Sequence, residues 1–382
     1  MLVITTGKGS LYLTPVEEVS APYLFSLSDW EIRNIFSKWL YEVRVKFNDS
    51  DVLVDADDFV YEYLEALHAE ENSINHSVVH EPLVNILHDR DIQSIRESLE
   101  DIIEGKVSEV LDEENIGYFQ PLSGIKIHFP PVHITIQEPP KLLVVSTRDR
   151  IDLIETVLLK TDIAVNEMEE LEDVITEQFD LSALILDLGG IATYPSILHP
   201  DKSLESFLII TAHEWLHQYL FFKPLGREYW TDSTMTSINE TVASMFGEEV
   251  GLKAYRKFPE RVNSDSEENL PAITHEFDLR KELRETRIKV DELLNQGQVE
   301  LAELYMNERQ TVINDNGYYF RKLNQAYFAF NGTYGDHPAS ISPIASQLDQ
   351  IRNSSDSLAD FIGKVSQVAT HAEFLDLVER HE

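Results

Sequence analysis

Five consecutive residues constrain this chain more than any other stretch: His213-Glu214-Trp215-Leu216-His217. On an α-helix, positions i and i+4 stand one above the other on the same face, so two imidazoles at that spacing can reach one metal ion from the same side. Glu214 sits one position round the helix, near enough to a metal-bound water without being a ligand. A metal there lowers the water's pKa and the glutamate takes its proton, which is the chemistry of a zinc hydrolase. The flanks support a helix over Leu204–Leu220. Ser203 can cap its N-terminus, and Phe207, Leu208, Ile210, Thr211, Leu216 and Leu220 surround the motif with apolar bulk. Pro224 and Gly226 end it.

Two histidines do not complete a catalytic zinc site. The chain has no cysteine, so a third ligand must be His, Asp or Glu. A second helix is expected from about Thr234 to Gly251, carrying Asn239-Glu240-Thr241-Val242-Ala243. An excursion through Lys223–Asp232 can bring it back beside the first helix. Glu240, 23 positions beyond His217, then completes a set of two histidines and one glutamate around one Zn2+ per chain. The fourth position is left for water. Glu248 and Glu249, two turns further on, are rival third ligands.

With these two motifs the chain resembles the gluzincin metallopeptidases, the thermolysin-like enzymes whose pattern is H-E-x-x-H followed by a helix bearing N-E-x-x-A. The resemblance implies His213, His217 and Glu240 as zinc ligands and Glu214 as general base. It implies supporting places around the ligands for Asn239 and for Ser244, the latter where thermolysin-like enzymes carry an acidic residue; Asp232 or Glu248 could substitute. Gly189-Gly190-Ile191-Ala192-Thr193 falls where gluzincins place their substrate-binding edge strand. Two glycines there also fit a backbone that another backbone approaches, or an ordinary turn before Pro195. Gluzincins steady the oxyanion with a Tyr or His beyond the zinc helices, and the loop Asn331–Pro338 offers Tyr334 first and His337 second. Residues 280–327 are similar to bacterial aminopeptidase-type proteins, although no glutamate in 189–193 is placed to grip an α-amine.

The expected fold is α+β and mostly helical: a gluzincin-like domain with a small mixed or antiparallel sheet and an added N-terminal helical region. Three regions are expected: helices over 1–115, the sheet and zinc helices over 116–260, and a C-terminal helical region over 261–382. In the first, Ser28-Asp29-Trp30-Glu31 is a capping box opening a helix through Val43. Further helices cover Asp57–Glu70, Pro82–Gly105 and Val107–Leu111, after an irregular lead-in over 1–27. In the second, strands are expected at 125–129, 133–137, 142–145 and 181–188. Helices are expected from Thr147 through Leu158 and over Val165–Phe179. In the third, a hairpin turns at Gln296-Gly297, an aromatic helix spans Tyr318–Phe330, and short helices cover Ser357–Val365 and His371–Arg380.

A net charge of −37 excludes nucleic acid and anionic lipid as natural partners. No run approaches a membrane span, and no export signal is visible, so a cytoplasmic protein is expected; the soluble part of an anchored one would read the same. The expected activity is zinc-dependent hydrolysis of peptide bonds in a peptide or protein substrate. Two alternatives stand beside it: a non-catalytic zinc protein that binds peptide or serves structure, and a hydrolase of a non-peptide amide. Oligomeric state is not readable.

Overall fold

The computed structural model describes residues 13–27, 89–122, 125–258 and 277–381. The helices expected at 28–43 and 57–70, and the first residues of the one from Pro82, lie outside these. Twelve α-helices and eight strands are described, an α+β chain with far more helix than strand. The helices are α1 Pro15–Ser20, α2 Asp89–Glu114, α3 Val165–Phe179, α4 Leu204–Leu220, α5 Pro224–Arg227, α6 Ser233–Tyr255, α7 Leu279–Asn295, α8 Val299–Asp315, α9 Gln325–Asn331, α10 Ile344–Asn353, α11 Leu358–Val365 and α12 His371–Glu379. The strands are β1 Tyr118–Leu122, β2 Ile125–His128, β3 Ile134–Ile136, β4 Lys141–Thr147, β5 Leu153–Leu159, β6 Leu181–Leu186, β7 Gly190–Ile191 and β8 Ser196–Leu198.

The core is built on α4 and α6, which lie side by side. Their closeness follows from two glycines one turn apart on α6. A Cβ at Gly251 would stand 2.5 Å from the Ile209 Cα, and one at Gly247 would stand 2.9 Å from the Ile209 carbonyl oxygen. Without side chains there, the α6 backbone rests directly on α4. Around this pair gather Leu99, Ile103, Val107 and Leu111 of α2, Leu348 and Ile351 of α10, Phe361 of α11 and Phe374 of α12, all fully buried. Residues from each of the three regions drawn from sequence at 1–115, 116–260 and 261–382 meet in this cluster, while residues within 283–339 contribute to a separate one. Trp215, inside the motif, faces this core: its indole N–H donates to the Pro130 carbonyl at 2.8 Å and its ring stacks on Phe246.

Two three-stranded sheets and a hairpin of β1 and β2 flank the helices. In the first sheet, antiparallel β5-β4-β6, the central strand β4 is buried along Leu142–Ser146. The second is mixed, in the order β3-β8-β7, with β3 parallel and β7 antiparallel to β8. Its edges differ. On β3, the outward amides of Ile134 and Ile136 donate to Glu104 and Glu100 of α2 at 2.8 and 2.7 Å. Beyond β7 lies the cleft described below.

Four expectations require correction. The segment after Thr147 is the strand β5, not a helix. Ser146 and Thr147 hydroxyls donate to the Arg150 carbonyl and close a turn, after which Val157, Leu158 and Leu159 bury against both faces of the sheet. Val107–Leu111 continues α2 without a break at Gly105, because Ile103, Val107, Val110 and Leu111 form one buried stripe. The aromatic helix begins only at Gln325. Asn314 and Gln310 bond the backbone of Phe320 and Arg321 instead, and Asn324 caps α9. The lead-in holds a helix, α1, started by a capping box of Thr14 and Glu17 with Pro15 at its first position.

Candidate metal centre and cleft

The helix α4 begins as expected, with the Ser203 hydroxyl accepting from the Ser206 N–H. Its last two turns present His213 and His217, whose Nε2 atoms lie 3.0 Å apart. Asp232 caps α6, accepting from the Thr234 and Met235 amides, and α6 brings Glu240 against both imidazoles. Glu240 Oε2 stands 3.6 Å from His213 Nε2 and 3.4 Å from His217 Nε2. Ligand atoms about 2.05 Å from a tetrahedral zinc are about 3.3 Å from one another, so the three edges of this triangle match one face of such a site.

The same Oε2 atom is buried and has no hydrogen-bond partner, whereas Oε1 accepts from the Tyr229 hydroxyl. A buried carboxylate oxygen left without a donor and aimed at two imidazole nitrogens fits a cation between them. Proton affinities register the same demand. Burial pushes the Glu240 carboxyl up, but the two histidines outweigh it and hold it far below the usual range. Burial pushes His217 down, but the Glu240 carboxylate prevails and raises it to about 9. Glu214 also lies close, with a ligand atom within 4.8 Å of those of both histidines. It leaves the helix about 100° round from His213. Burial raises its carboxyl above the usual range, as suits a group that accepts a proton. Glu240 Oε2 is a buried oxygen left without a hydrogen-bond partner beside the two nitrogens, whereas Glu214 forms with the two histidines the group whose ligand atoms lie together within 4.8 Å.

Asn239 supports this geometry. Its Oδ1 lies 2.9 Å from His217 Nδ1, and its Nδ2 donates to the Leu225 carbonyl, so the imidazole turns Nε2 toward Glu240. Ser244, by contrast, makes no described hydrogen bond with either histidine. Glu248 is exposed and Glu249 is paired with Lys253 and Arg352, so neither approaches the site.

A cleft of about 540 Å3 opens over the cluster. Its walls include Gly190, Ile191 and Ala192, Leu153–Thr156 of β5, Trp230, Asp232 and Tyr334. Gly189 and Thr193 stand outside it. The Gly189 carbonyl accepts from the His199 N–H, and that of Thr193 accepts from Gln218 Nε2 at 2.5 Å. Because Gly189 faces β8, the N–H and C=O of Gly190, a residue that lines the cleft, point away from β8. A Cβ at Gly190 would stand 2.6 Å from Ile210 Cγ2 and 2.9 Å from Glu214 Oε1, so a side chain there would have to displace them.

The ring of Tyr334 lies 6.4 Å from that of His213. Burial, with the charges of Glu240 and Glu214, raises its phenol well above the ordinary value, so it remains an O–H donor. His337 does not line the cleft. Its Nδ1 accepts from the Ala339 N–H at 3.0 Å and shapes the loop. Tyr229 is the site residue that sequence reasoning missed. Its only signal was a tyrosine in the connection between the helices that carry His213, His217 and Glu240. Compared with known proteins, the chain matches no family model, no curated protein and no solved structure.

Proposed function

We propose that the chain is a zinc-dependent hydrolase of peptide bonds, with His213, His217 and Glu240 holding the metal and Glu214 as general base. The reading carries forward the gluzincin resemblance of the two helical motifs, fold included. One observation carries it: the orphaned Glu240 oxygen that closes a ligand-sized triangle with the two imidazoles. When bound, zinc supplies Lewis acidity and a lowered pKa for water at the open position. Glu214, on the cleft side and with a raised proton affinity, takes the proton of the attacking water and returns it to the leaving amine. Tyr334, kept neutral, donates to the oxygen on which charge develops.

Peptide as substrate is supported by the two edges of the mixed sheet. The β3 edge is closed by Glu100 and Glu104, while β7 has its Gly190 amide and carbonyl turned away from β8, and Gly190 lines the cleft beside Glu214. An extended chain added to β7 would carry its own carbonyl groups past the base.

Glu214→Gln tests the mechanism. Metal content should stay at one equivalent while cleavage of quenched peptides drops by about 10²–10⁴-fold or more. Full activity in that variant would exclude Glu214 as the base. Stoichiometric zinc with no cleavage by the unaltered protein across broad peptide libraries would favour the non-catalytic binder.

A further inference from the structure

A second cavity, of about 310 Å3, opens off the end of β7. It shares Ala192 with the main cleft and is walled by Phe129, Phe221, Phe222, Pro130 and Tyr194. The three phenylalanines are 46, 40 and 48% exposed, and Phe222 packs against both of the others with ring centroids 5.0 and 5.2 Å away. Not one lining residue is charged, in a chain of net charge −37. Of its polar groups, Gln218 Nε2 donates to the Thr193 carbonyl and the Ser196 hydroxyl and the Thr193 hydroxyl donates to the Pro195 carbonyl, while Gln218 Oε1 is buried without a hydrogen-bond partner. Half-exposed aromatic rings gathered on a concave surface cost solvation unless an apolar group covers them at some stage.

The position of this cavity identifies the occupant. The edge strand stops at Ile191, because the Thr193 N–H closes back on the Ile191 carbonyl at 2.8 Å and the chain turns toward Pro195. A peptide paired with β7 beside Glu214 therefore runs out of partner strand within two or three residues. At a rise of about 3.3 Å per residue, that is about 7–10 Å from the base. There it meets the aromatic cavity instead.

We propose that this cavity is a specificity pocket for a large apolar side chain, two or three residues from the cleaved bond on one side of it. The inference rests on the peptide-hydrolase reading and deepens it: the preferred substrate is an extended peptide with an aromatic or long aliphatic residue at that place.

The test walks a single phenylalanine through internally quenched octapeptides otherwise made of Ala, Ser and Gly, with cleavage sites read by mass spectrometry. The zinc-loaded protein should cleave the peptide with Phe at the stated distance about tenfold better in kcat/KM than its all-small parent. Phe222→Ala and Phe129→Ala alter separate walls. Each should cut that ratio by about threefold or more, with unfolding temperature as the control for folding. Binding of the same labelled peptides by Glu214→Gln, read by fluorescence anisotropy, should show the same ranking. Cleavage of all peptides with no Phe preference, or a preference that survives both variants, would overturn the pocket and leave the hydrolase reading standing. If no peptide is cleaved and none binds Glu214→Gln, the hydrolase reading falls and the pocket with it.

Discussion

Gly190 shows how little room the site leaves. Its missing side chain is what allows β7 to lie against α4 at the level of Glu214. Gly190→Ala should push either Ile210 or the Glu214 carboxylate aside, since both lie closer than 3.0 Å to the new methyl group. We expect a loss of about 1–3 kcal/mol in urea unfolding, the usual cost of overpacking. Peptide turnover should fall at least tenfold with zinc content unchanged, because no metal ligand moves. Unchanged turnover would show that β7 does not set the position of Glu214. At this scale the sequence was informative where one residue type has one use. The gathering of His213, Glu214 and His217 followed from their spacing, and Glu240, singled out by its Asn-Glu context, lies beside them. Tyr229 could not, since nothing local says that a tyrosine will reach a glutamate eleven positions on. Nor could the division between Tyr334 and His337, which depends on how one loop folds back over α6, where the Gly335 N–H donates to Thr241.

Among the elements, the two edges of the mixed sheet carry the most consequence. Glu100 and Glu104 are one helical turn apart, a rise of about 6.0 Å, and the amides they accept are two strand residues apart, about 6.7 Å. The near match lets one helix face cap a whole strand edge. Glu100→Ala should leave the Ile136 N–H buried without an acceptor and cost about 1–3 kcal/mol by urea unfolding. Hydrogen exchange at Ile136 should quicken while amides of α6 stay protected; uniform quickening across both would mean that Glu100 supports the core generally and not this edge. Such long-range caps are invisible in sequence, where Glu100 is one more acid on an acidic helix. The same limit explains β5. Ile151, Ile154, Val157 and Leu158 satisfy a helical spacing, but Leu153–Leu159 also satisfies burial on two faces. The presence of β4 as a partner decided it. Helices α3, α4, α6, α7 and α8 were legible because each carries its own caps or a long apolar stripe, so no distant strand competes.

For the whole molecule, an ion cluster at Glu172 of α3 is one of the links that join the sheet to the C-terminal helices, beside Arg148–Glu303 and the Asn324 bond to the Ala183 carbonyl. This carboxylate is fully buried. It accepts from the Ile185 N–H of β6 at 2.6 Å, from Arg321 Nη1 at 3.0 Å and from Lys322 at 2.7 Å. Arg321 also donates to the Ile185 carbonyl, so α3, β6 and the segment leading into α9 are fastened at one point. The cleft wall at Phe330 and Tyr334 hangs from that segment. Burial pushes the Glu172 carboxyl up, but Arg321, Lys322 and the Ile185 amide outweigh it and hold the group below the usual carboxylate range. A carboxyl depressed in the folded state contributes stability above its unfolded pKa, about 4.3, and that contribution is lost as pH falls through the lower folded value. Glu172→Gln removes the titrating group and leaves Arg321 and Lys322 facing a neutral amide. At pH 7 the variant should be less stable by about 3–5 kcal/mol, the usual cost of removing one member of a buried pair. Below about pH 4.3 the difference should shrink, because the unaltered protein is then losing the same charge. Urea midpoints of both proteins from pH 7 to pH 3 measure this directly. Other acids titrate alike in the two chains, so the narrowing gap reports Glu172 alone. A gap that stays constant across that range would place the stabilisation in shape and neutral hydrogen bonding rather than in the charge that ties the cleft wall to the sheet.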